Sequence, residues 1–85
     1  NTRDFFVEKM TKLENLILDI EGIKTVHIMQ AGREIMVYVD PEQILDQELS
    51  TVIKRIGDKI ESQLDYPGTI RISLMRENKL IEHLK

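Results

Sequence analysis

The chain has two histidines, His27 and His83, and neither sits in a helical ligand pattern with a second strong metal donor. Glu82 adjoins His83 but points to the opposite face of a strand, so both imidazoles read as surface groups rather than ligands. The absence of cysteine removes thiolate nucleophiles, disulfides and every Cys-containing zinc site. No Gly-x-Ser-x-Gly elbow and no phosphate-cradling glycine loop occurs, since the 4 glycines are scattered singly. The carboxylates of Glu42 and Asp46 have the spacing of a solvated helix surface more than that of an acid/base pair. Catalytic groups, a cofactor site and a metal site are therefore not expected in this chain.

Two sets of residues point to binding. The stretch Gln30-Ala31-Gly32-Arg33-Glu34 places an amide, a guanidinium and pliable backbone at a hairpin tip, a combination suited to a phosphate or a partner carboxylate. With Arg71, Arg76 and Lys79, the residues Gln30, Gly32 and Arg33 form the candidate contact for RNA or a partner, with Tyr38 available for stacking. The second set is apolar. Phe6, Met10, Leu13 and Ile17 form a helical stripe, and Met36, Tyr38 and Met75 fall on the outward positions of strands; together they make a candidate pairing or docking surface.

Elements to hold these residues follow from periodicity. Phe6, Met10, Leu13, Ile17 and Ile20 recur at spacings of four and three, which predicts a helix over 2–20 ended by Glu21-Gly22. The same stripe has a coiled-coil period for about two heptads, so it serves either core packing or helix pairing. Alternation through Val26 and Ile28, then through Ile35, Val37 and Val39, predicts an antiparallel hairpin over 23–39. Asp40-Pro41-Glu42-Gln43 has the grammar of a helix start, and Asp46-Gln47-Glu48 is a second candidate. A helix over about 42–64 follows, with Leu49, Val52, Ile53, Ile56, Ile60 and Leu64 on its apolar side. Tyr66-Pro67-Gly68 turns the chain into a strand over 69–76, and the tail 80–85 is either a short edge strand or frayed.

The expected fold is α+β in the order α-β-β-α-β. Two helices cover one face of a three- or four-stranded sheet, leaving Met36, Tyr38, Arg71, Ser73 and Met75 toward the other. The 85 residues make a single domain, 1–85, because a second core would need roughly 50 more residues. A start at Asn1 rather than Met leads us to expect a piece of a longer chain. No apolar run approaches the roughly 20 residues that cross a bilayer, so the piece is expected to be soluble and without membrane contact. A net charge of −3 gives no global pull toward a polyanion, and nucleic-acid binding would need a local patch.

The blocks Gln30-Ala31-Gly32-Arg33-Glu34-Ile35, Pro41-Glu42, Tyr66-Pro67-Gly68 and Ile70 to Glu77, in that order and spacing, resemble the C-terminal domain of ribonuclease Y. Leu13-Glu14 and Glu21-Gly22 resemble the helix leading into it. Met36 stands where the family has a basic residue, and Asn78-Lys79-Leu80 replaces a Thr-Arg-Ala, two departures that lower the local positive charge.

The resemblance implies a bacterial parent that initiates mRNA decay from the cytoplasmic side of the membrane. That parent carries an anchor, a coiled coil, a KH domain and an HD nuclease domain that uses a divalent metal. The HD ligands have no counterpart here, so the chain is expected to be a non-catalytic accessory or interaction domain. Its expected partners are the HD domain of the same chain or a second copy, with RNA reached through the parent. An auxiliary RNA-binding surface is the alternative. A third reading rests on a similar element order in the cytoplasmic domain of cation-diffusion transporters, a metal-sensing dimerisation domain, and the scarcity of histidine argues against it.

Overall fold

The computed structural model describes residues 2–64, 68–77, 82 and 84, with side chains from Val7 onward. Helix α1 spans Thr2–Leu18, and strands β1 (Ile23–Met29) and β2 (Glu34–Val39) form the expected antiparallel hairpin. Helix α2 spans Leu49–Gln63, and β3 (Arg71–Arg76) lies parallel to β2. The sheet order is β1-β2-β3, so the element sequence is α-β-β-α-β and the class is α+β. A parallel partner for β2 requires a crossover, and α2 supplies it by returning the chain over one face of the sheet.

That face is the core. The central strand turns Ile35, Val37 and Val39 inward, each no more than 2% exposed. Leu13, Ile17 and Ile20 of the first helical segment and Val52, Ile56 and Ile60 of α2 close over them, with Ile28, Ile72 and Leu74 at the margins. Helical residues three and four apart share a face, while strand residues two apart share one, and the two periods meet in a single apolar layer.

Three expected boundaries shift. The first helix stops at Leu18 rather than at residue 20, because Ile20 and Ile23 hydrogen-bond back to Ile17 and Ile20 in a tighter turn that Gly22, with φ +92°, carries into β1. The second helix starts at Leu49 rather than near residue 42. Asp40 closes only one turn: its carboxylate accepts the Glu42 N–H at 2.9 Å and the Gln43 amide at 3.1 Å, while its carbonyl accepts the Ile44 N–H at 2.9 Å. Burying Ile44 then draws Leu45 into an extended conformation, with ψ 160°, and the helical path restarts through a 3-10 turn over Asp46–Glu48. The third strand begins at Arg71 rather than at residue 69. The turn expected at Tyr66-Pro67, the candidate Lys79, His83 and most of the tail 80–85 lie outside the described residues.

Candidate docking face and the struts behind it

Strand register sorts the outward side chains into three rows. Thr25, Tyr38 and Met75 form one, His27, Met36 and Ser73 the next, and Met29, Glu34 and Arg71 the last. Partners in register share a face, so these nine side chains cover the sheet surface opposite the helices. None of the nine is buried, and among the described residues no helix lies over them. The sequence placed Met36, Tyr38 and Met75 on this surface; register adds Met29 and His27. The His27 ring stands edge-on to Tyr38, with centroids 5.8 Å apart and planes at 87°. The one acid and the one arginine on the face, Glu34 and Arg71, occupy opposed positions of neighbouring strands.

Two of the four helical residues of the expected docking surface are taken up by the core. Leu13 and Ile17 are 0% and 1% exposed and belong to the chain's own core, and Met10 packs at its edge. The stripe that fits a coiled-coil seam is spent on the sheet, because a three-stranded sheet with an apolar inner face needs that stripe more than a second helix does. The Phe6 side chain is outside the described set.

One of the candidate RNA contacts, Arg76, is turned onto the fold itself. The Arg76 guanidinium reaches from the end of β3 into the turn after β2. There its Nε donates to the Ile44 carbonyl at 2.6 Å, its Nη2 donates to the Pro41 carbonyl at 2.8 Å, and its Nη1 lies 3.4 Å from Asp46 Oδ1. At the opposite end of the sheet the Arg33 guanidinium lies directly against the α-carbon of Gly68, close enough that a β-carbon there would collide with it. The Arg33 carbonyl also accepts the Arg71 N–H at 2.8 Å, tying the hairpin tip to the start of β3. Gln30 donates its side-chain amide to Glu34 at 3.0 Å, and Gly32 is buried with φ +85°. Arg71 remains an exposed cation at the rim of the open face, and Arg33 is exposed beside it.

Gly22 completes the first of these struts. Its carbonyl accepts the Asp40 N–H at 2.8 Å, and a β-carbon on it would stand 2.8 Å from Ile44 Cγ1. One end of the sheet is thus fastened by Gly22, the 40–44 turn and Arg76; at the other the Arg71 N–H bonds the Arg33 carbonyl, and the Arg33 side chain lies close against Gly68. No single sequence signal named these pairs. An arginine closing an edge strand, facing an Asp-Pro turn that ends the neighbouring strand, is the pattern that would have found the first.

Among the described residues no group of three or more His, Cys, Asp or Glu side chains could hold a metal, and no helix is long and apolar enough to cross a membrane.

Ribonuclease Y of Aquifex aeolicus is 37% identical over 84 residues, 99% of this chain and 15% of that protein. Ribonuclease Y of Acetivibrio thermocellus is 34% identical over the same length, and that of Enterococcus faecalis is 38% identical over 80 residues. The chain is homologous to a segment of ribonuclease Y. It spans about a sixth of the length of these relatives, with shares of 15% to 16%. No family model and no solved structure matches it.

Some of the blocks through which the sequence resembles ribonuclease Y lie where the ends of the sheet are tied. At one end the Gly22 carbonyl accepts the Asp40 N–H and the Pro41 carbonyl accepts from Arg76, and at the other the Arg33 side chain lies against Gly68. Two of the blocks, Gln30 to Ile35 and Ile70 to Glu77, also supply Glu34, Arg71, Ser73 and Met75 to the open face.

Proposed function

We propose that this chain is a non-catalytic accessory domain, at the C-terminus of a ribonuclease Y-like endoribonuclease that initiates mRNA decay from the cytoplasmic side of the membrane. Hydrolysis belongs elsewhere in the parent, at a centre that holds a divalent metal, and this domain serves by docking. The observation that carries the reading is a two-layer body, pinned at one end by Arg76, with a sheet face over which no helix lies among the described residues. A face that mixes Met and Tyr with Thr, Ser, His and one opposed Glu–Arg pair has the composition of a surface that binds another protein.

Deleting the domain from a full-length ribonuclease Y tests this. Cleavage of a short RNA is expected to survive, whereas the rate or choice of sites on long transcripts falls severalfold. Loss of short-RNA hydrolysis in an enzyme that remains folded would place catalytic groups here, and unchanged behaviour on both substrates would remove the accessory role.

A second reading, an auxiliary RNA surface, is favoured by Arg33 and Arg71 standing at one corner, joined through the Arg33 carbonyl. Arg76 adds nothing to that corner, because its donors are turned inward. Titration of the chain with single-stranded RNA at low salt, where electrostatic attraction is strongest, separates the two. Binding that Arg33→Ala and Arg71→Ala both weaken supports the RNA surface, and no binding removes it.

A further inference from the structure

We draw no further inference here: the strongest candidate, the groove between α2 and the outer edge of β3 lined by Gly57, Ile60, Leu64, Ile70 and Ile72, carries none because nothing in the structure shows what covers it.

Discussion

Arg76 Nε donates to the Ile44 carbonyl oxygen at 2.6 Å, across 32 residues of chain. The same guanidinium holds the Pro41 carbonyl at 2.8 Å, so one planar group ties together the last residue of β3 and the turn that follows β2. The turn needs such a donor. Asp40 satisfies N–H groups at its start, but a single helical turn that goes no further leaves carbonyls to which no following N–H donates. A fork of fixed geometry can serve two carbonyls at once, which a lysine ammonium on a flexible stem does less well.

Arg76→Met should therefore lower the unfolding free energy by about 2 to 3 kcal/mol, since it leaves two part-buried carbonyls without a charged donor. Arg76→Lys should fall between the two. Asp46, whose side chain is 76% exposed and 3.4 Å from Nη1, should cost less than about 0.5 kcal/mol when changed to Ala. Urea unfolding followed by far-ultraviolet circular dichroism measures all three. A neutral Arg76→Met would release the arginine from its structural role and return it to the candidate RNA contacts.

The strut also explains what could be read in advance and what could not. Alternation in 34–39 and 71–76 identified the inward and outward residues of β2 and β3, because the strand period is a local property. Spacing gave α2 its apolar side for the same reason, while its start was written twice, at Asp40 and at Asp46. The structure uses the first signal for a single turn, since Ile44 is needed in the core beside Gly22. Arg33 and Arg76 looked like ligands because their partners are backbone atoms 32 to 35 residues away, or a glycine in another turn, and no local pattern exposes such a pairing. Leu13 and Ile17 satisfied two patterns at once, and only the presence of a sheet decides between them.

Gly22 and Gly68 have nearly the same φ, +92° and +91°, yet alanine should cost different amounts at the two sites. Both substitutions strain the backbone by about 1 to 2 kcal/mol. At Gly22 the new methyl also meets Ile44, a core side chain 5% exposed, so the total should reach about 2 to 4 kcal/mol. At Gly68 it meets the far end of the Arg33 side chain, which can swing away, and the backbone strain is most of the loss. Thermal melting of the two variants reads the difference. A larger drop for Gly68→Ala would mean that the Arg33 guanidinium is held more firmly than its position indicates.

The hairpin tip carries strain of its own. Gln30 and Ala31 both lie in the left-handed region, at φ 51° and φ 58°, where a side chain is disfavoured. Ala31→Gly should remove that cost while adding backbone entropy to the unfolded chain, for a net gain of up to about 1 kcal/mol. Ala31→Val, branched at the β-carbon, should lose at least as much. A higher urea midpoint for the first and a lower one for the second is the expected pair of results; a destabilised Ala31→Gly would show that the methyl group is needed where it lies.

The last prediction separates core from surface. Leu13 and Met36 both belonged to one candidate docking surface on sequence grounds, but Leu13 is fully buried and Met36 only partly buried on the sheet face opposite the helices. Truncating Leu13 removes several buried carbons and leaves a cavity, so Leu13→Ala should cost about 2 to 5 kcal/mol. Met36→Ala loses only partial burial and should cost less than about 1 kcal/mol in the isolated chain. In the full-length enzyme the order should narrow, because a docked face buries Met36 further and raises the cost of its removal. Hydrogen exchange of β2 and β3 amides, compared between the chain alone and the full-length protein, reads this directly. Protection at 36, 38, 73 and 75 that rises in the full-length protein and falls again in Met36→Ala is the expected result. The same protection in both contexts would leave the face open to solvent in the whole enzyme and remove the reason for its methionines.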